Sequence, residues 1–174
     1  MNKYYLTLII GTIVLIFLQV FVLNHLWVFD YFMPILYLYP LLKMPLQSET
    51  WLLLIYAAVT GLVMDLLMNT PGLNMAAIVL AAYCRKPLLL ALISDDVLEE
   101  EDGLIIPGTK TMKFLPYLLY LLILTVIHIG TLLSLEGFSL GLFAFLVPFI
   151  LGGTAITVVI YLLFDLFSRK KRTL

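Results

Sequence analysis

Residues 51–68 read WLLLIYAAVTGLVMDLLM, and residues 69–74 follow as NTPGLN. A helix crosses the roughly 30 Å hydrocarbon core of a bilayer with about 20 apolar residues, so the first stretch has the length and character of a membrane span. The Asn69-Thr70-Pro71-Gly72 sequence ends it with turn chemistry, and Leu73 and Asn74 open the next apolar run. Ala57, Gly61 and Asp65 are spaced four apart and therefore share one helix face. Two small residues on that face let another helix approach closely. A carboxylate beside such a seam is expected to point inward and accept hydrogen bonds, with the amides of the following turn as available donors. A structural cap and a ligand or proton site both fit Asp65 at this point.

The rest of the chain is of the same kind. It has 174 residues, 63% hydrophobic and 12% charged, with a mean hydropathy of +1.12. Soluble domains average about 45–50% apolar and about 25% charged residues. A core this small could not hide so much apolar surface from water. The expected fold is all-α, a polytopic membrane helical bundle of about six transmembrane helices forming a single domain. The spans are expected at about 4–23, 26–42, 51–68, 73–93, 114–135 and 140–167. The second is interrupted by Asp30, Pro34 and Pro40, and non-helical backbone at membrane depth must be covered by protein. The first span exceeds the about 7–15-residue core of a signal peptide and no small-residue cleavage pattern follows, so it reads as retained.

Positive charge orients the bundle. With six spans and a cytoplasmic N-terminus, the inner segments hold Lys3, Lys43, Arg85, Lys86, Lys110, Lys113, Arg169, Lys170, Lys171 and Arg172, which are all the Lys and Arg residues of the chain. The positive-inside rule then places both termini in the cytoplasm. Arg85 lies about 18 Å along a helix from Leu73, short of a full crossing, so it is expected either to snorkel with Lys86 to the inner headgroups or to belong to a helix that starts below the outer surface. Pro87 is expected to bend the chain and lay Leu88–Ile93 along the inner interface. The loop 94–113 carries Asp95, Asp96, Glu99, Glu100, Glu101 and Asp102. It reads as a solvated acidic linker or as a docking segment for a basic cytoplasmic partner.

The remaining polar residues suggest little chemistry. Gln19 and Asn24, late in the first span, suit hydrogen bonding between helices. His128 lies mid-span, and Glu136 follows two turns later on roughly the same face. A lone His in an apolar helix is more often a satisfied interior residue than a ligand, and the chain has only two His and one Cys, Cys84. No HExxH, GxSxG, phosphate-binding glycine loop or CxxC is present. The expectation is no enzyme, no metal and no cofactor. A net charge of -1 provides no field for nucleic acid.

Taken together, these landmarks resemble the MreD family of rod shape-determining proteins, in the form found in Bacteroidota. The resemblance rests on Gln19 and Asn24, on Asp30-Tyr31-Phe32-Met33-Pro34, on Gly61-x-x-x-Asp65 followed by Pro71-Gly72-Leu73-Asn74, on Arg85-Lys86-Pro87, and on His128 with Leu135-Glu136-Gly137-Phe138. It covers nearly the whole chain by size and span order, and 61–74 is its most specific part. Asn74 departs from the pattern, since many members carry His there. The resemblance implies a bundle similar to the substrate-binding subunits of energy-coupling-factor vitamin transporters. It also implies a non-enzymatic scaffold of the cell-wall elongation complex in the bacterial inner membrane. Such a scaffold binds the membrane protein MreC and, through it, links MreB filaments to peptidoglycan synthases.

Three functions remain on these residues. A scaffold predicts small-residue seams such as Ala57/Gly61 and Gly153/Thr157. A vitamin-type transport subunit predicts an outward pocket lined by Asp65, Asn69, Asn74 and Glu136. Against it, the first helix offers only Gly11 and no alanine for docking an ATPase-coupled partner. An intramembrane enzyme would need a reactive pair such as His128 with a carboxylate.

Overall fold

The computed structural model describes residues 2–23, 34–94, 97–98, 104–137 and 143–170. Asn24, residues 26–33 of the second expected span, the acidic side chains of 95–96 and 99–102, and the start of the last span at 140–142 lie outside the described residues.

The chain is helical, and no strand occurs among the described residues. The helices are α1 (Asn2–Phe21), α2 (Tyr39–Leu42), α3 (Thr50–Met68), α4 (Leu73–Leu92), α5 (Phe114–Gly137) and α6 (Phe143–Lys170). All but α2 are long and apolar enough to cross a membrane, and the protein is a helical membrane bundle. α3 packs on α4, α4 on α5 and α5 on α6, while α1 rests on α3 and α2. The start of α1, the end of α2, the loop before α5 and the end of α6 meet at one end of the bundle, through contacts such as Tyr4 to Lys43 and Lys43 to Asp165. The turn after α3 lies at the other.

The α3–α4 pair explains why a Gly sits at 61. A Cβ built there would lie 2.4 Å from the Met75 Cα and 2.8 Å from the Met75 nitrogen. The two backbones touch at this point, and Ala57 beside it is fully buried. Between the helices, Asn69 adopts the left-handed conformation with φ 56° and Gly72 has φ 80°. Asn tolerates that region better than most residues and Gly has no Cβ to clash. Asn69 therefore ends α3 in the usual way, its N–H donating to the Asp65 carbonyl.

Where the sequence placed a second span, the described part is not a span-length helix. Residues 34–38 are irregular, and α2 is a four-residue turn of helix. Pro34 and Pro40 explain the break, since neither can donate to a helical ladder. Yet this segment is deeply buried among the described residues, with Leu38, Leu41 and Leu42 at 0% exposure. It threads the interior of the bundle.

Two expectations at the end of α4 change. The helix runs through Pro87 to Leu92 instead of bending onto an interface, because Leu89 and Ile93 pack into the core. Arg85 does not snorkel to headgroups. Its side chain is 1% exposed, and its guanidinium donates to the Met44 carbonyl just beyond α2, beside the Tyr120 hydroxyl.

Candidate functional site

The polar side chains of the bundle converge on the buried segment 34–44. Irregular backbone inside a membrane leaves amides and carbonyls that the surrounding helices must satisfy. Gln19 of α1 does so with both ends of its amide: Nε2 donates to the Pro34 carbonyl at 3.0 Å, and Oε1 accepts from the Leu36 N–H at 2.7 Å. From α6, the Thr157 hydroxyl accepts from the Ile35 N–H at 3.1 Å and the Tyr161 hydroxyl donates to the Ile35 carbonyl at 2.6 Å. Tyr120 of α5 donates to the Leu42 carbonyl at 2.8 Å, and Tyr4 of α1 to the Lys43 carbonyl at 2.7 Å. Hydrogen bonds from α1, α4, α5 and α6 thus hold one irregular segment in place.

Gln19→Leu keeps the side-chain volume and orphans two of these backbone groups. The expected destabilisation is about 2–4 kcal/mol, since each unsatisfied buried group costs about 1–3 kcal/mol. Denaturant titration in detergent, followed by tryptophan fluorescence, measures it.

A second network joins this segment to the turn between α3 and α4. The Asp65 carboxylate accepts four hydrogen bonds. Oδ1 takes the Thr70 hydroxyl at 2.7 Å, the Asn74 N–H at 2.9 Å and the Asn74 side-chain amide at 2.9 Å. Oδ2 takes the Met75 N–H at 3.0 Å. The first turn of any helix has orphan N–H groups and a positive dipole end, and a carboxylate satisfies both. Here the cap comes from α3 onto α4. Asn74 passes the network inward: its Oδ1 accepts from the Tyr37 hydroxyl at 2.8 Å, and that hydroxyl lies 2.8 Å from His128 Nε2. The His128 ring also lies within hydrogen-bond reach of the Ala77 backbone.

Of the residues singled out from sequence, Gln19, Ala57, Gly61, Asp65, Asn74 and His128 are buried in this interior. Pro71 is exposed and Gly72 half-buried, and their role is the turn geometry itself. Of the four residues expected to line an outward pocket, Asn69 and Glu136 are exposed, while Asp65 and Asn74 are buried and bonded to each other. Asp65 and His128 are connected only through Tyr37 and the Asn74 amide. An amide does not pass a proton as a carboxyl or hydroxyl does, and this chain of bonds orders the side chains it joins. Among the described residues no three His, Cys, Asp or Glu side chains gather as metal ligands.

The charge-bearing end holds a cluster that sequence reasoning missed. Lys43 Nζ meets Asp165 Oδ1 at 2.7 Å, donates to Tyr117 at 2.8 Å and to the Pro107 carbonyl at 2.9 Å. It also lies 4.7 Å from the Tyr117 ring centroid, a cation–π contact. Asp165 further accepts from Tyr39 at 2.6 Å and from Tyr117. The available signal was Asp165 itself, an acidic residue near the end of an apolar helix and just before a basic run. Each partner is 13% exposed, and breaking so shielded a pair leaves an uncompensated charge. Lys43→Met and Asp165→Leu are each expected to cost about 3 kcal/mol. The double variant should cost less than the sum by about 1–3 kcal/mol, which a double-mutant cycle of unfolding energies reads.

Comparison with known proteins leaves this arrangement to speak for itself. No family model, curated protein or solved structure matches the chain.

Proposed function

We propose that this protein is a non-enzymatic membrane scaffold of the bacterial cell-wall elongation complex, acting as members of the MreD family do. It would sit in the inner membrane with both termini in the cytoplasm, bind MreC, and through MreC connect MreB filaments and peptidoglycan synthases in the control of cell shape. The observation that carries the reading is the use made of the polar interior. Gln19, Thr157, Tyr161, Tyr120, Asp65 and Asn74 are spent on the chain's own backbone and turns. Among the described residues, the buried polar atoms of Arg85, Thr125 and Thr154 that lack partners line neither of two cavities that open on the bundle surface.

A scaffold also needs bare helix surface, and α1 supplies it. A smaller share of α1 is buried (17%) than of α3, α4 or α5 (33% each). Its Leu6, Ile9, Ile13, Phe17 and Phe21 face outward. In lipid, such a face associates through close packing rather than through a hydrophobic drive. The cytoplasmic placement of the charge-bearing end rests on the Lys and Arg distribution along the chain.

Affinity purification of the tagged protein from its own membranes in mild detergent tests the proposal. Co-purification of a single-span coiled-coil protein together with wall-synthesis enzymes is the expected result. Recovery with ABC-type ATPases, or with a stoichiometric water-soluble small molecule, would replace the scaffold by a vitamin-type transport subunit.

A further inference from the structure

A lateral groove of about 840 Å³ opens between α1 and α6 at the charge-bearing end. One wall is a single face of α1, with Leu8, Gly11, Val14 and Leu15 along it, and Phe164 and Phe167 of α6 lie opposite. The far end of the groove is apolar. Its other end is polar and is lined by the loop from Leu104 to Thr111, including Lys110. Space remains beside Gly11, where a Cβ would meet nothing within 4 Å.

We infer that this groove holds an acyl chain of an anionic phospholipid, with the phosphate at Lys110. The inference is independent of the scaffold reading. Its first support is length. The α1 wall runs from Tyr4 to Leu15, about 17 Å of helix at about 1.5 Å per residue. That matches one leaflet, about half of the roughly 30 Å hydrocarbon core. A partner's spanning helix would need a groove twice as long and a free exit at the polar end, where the 104–111 loop stands. A lipid needs neither. The second support is charge. Lys43 is matched by Asp165, whereas Lys110 is exposed and forms no ion pair with a described residue. Among the described residues, the mouth of the groove therefore carries one unmatched positive charge, Lys110, beside an apolar slot, which is the complement of an anionic headgroup on a hydrocarbon chain.

Native mass spectrometry of the full chain, with phosphatidylglycerol or phosphatidylcholine added in mild detergent, tests this. Phosphatidylglycerol should be retained about fivefold over phosphatidylcholine, the factor expected for one lysine near an anionic headgroup. Lys110→Gln should bring the two to parity. Gly11→Phe, which fills the slot, should remove the retained phosphatidylglycerol. A phosphatidylglycerol carrying a diazirine on its acyl chain should label the unaltered protein at residues 8–15 and 164–167, and this decides the matter even where Gly11→Phe fails to fold. Equal retention of the two lipids by the unaltered protein would overturn the inference. So would full retention by a folded Gly11→Phe, or labelling spread evenly over the bundle surface. A co-purifying helix that shields these positions from the label would also overturn it, by placing protein in the groove.

Discussion

Gly61→Leu pushes α3 away from α4 and leaves little folded protein after extraction into detergent. The added Cβ alone would come within 2.4 Å of the Met75 Cα, and a backbone atom cannot swing aside as a side-chain end can. Forcing extra atoms into a packed interior costs about 1–3 kcal/mol where side chains can adjust. Here the adjustment must come from moving a helix, so the expected cost is at least about 3 kcal/mol, the top of that range. The displacement also carries Asn74 and Met75 away from Asp65, so the cap is lost with the contact. Gly61→Ala should show a smaller loss of the same kind. Gly11→Ala is the matched control: it adds the same methyl group to open space and should change stability by no more than about 0.5 kcal/mol. Thermal unfolding followed by size-exclusion chromatography separates the three variants.

The second large effect belongs to Asp65. Asp65→Ala removes four hydrogen bonds at once and leaves the Asn74 and Met75 N–H groups without acceptors near the end of a membrane helix. A hydrogen bond to a charged group contributes about 1.5–3 kcal/mol, so a total loss above about 3 kcal/mol is expected. Asp65→Asn should fall between: its oxygen can still accept from the Asn74 backbone, but its amide then faces the Met75 N–H, donor against donor. The consequences travel, because Asn74 released from Asp65 also loses its hold on Tyr37 and, through it, on segment 34–44. Glu136→Ala, at an exposed carboxylate, should leave the unfolding midpoint in place. A ligand site built on both carboxylates would instead respond to either change.

The contrast between these residues shows what a sequence of this kind reveals. Hydropathy and span length are local properties, and they located the long helices to within a few residues. The Ala57–Gly61–Asp65 face and the turn that follows were legible because spacing four apart and the Asn-Thr-Pro-Gly run act over short distances. The segment 34–44 was harder. Pro34 and Pro40 announced a break, but not that the broken piece would thread the core. Its supporting bonds join residues as distant as Ile35 and Thr157, which are separated by 122 positions, and no local pattern encodes them. Tyrosine hides its role in the same way. No local pattern marks Tyr37, Tyr39, Tyr117, Tyr120 and Tyr161 as hydrogen-bonding groups, and only the folded bundle shows which carbonyl or carboxylate each hydroxyl meets. Of the two readings of Arg85, snorkelling failed for a related reason. The usual remedy for an arginine at membrane depth is to reach for water, whereas here a protein carbonyl lies nearer than the surface.

The claim on which the account turns is that segment 34–44 is a permanently fastened interior strut rather than part of an adaptable binding site. Hydrogen–deuterium exchange of the purified chain in lipid nanodiscs tests it directly. The account expects the amides of Ile35 and Leu36, held by Thr157 and Gln19, to exchange as slowly as those at the centres of α3 and α5, with no ligand added. Rapid exchange there, or protection that appears only when a small molecule is supplied, would contradict it.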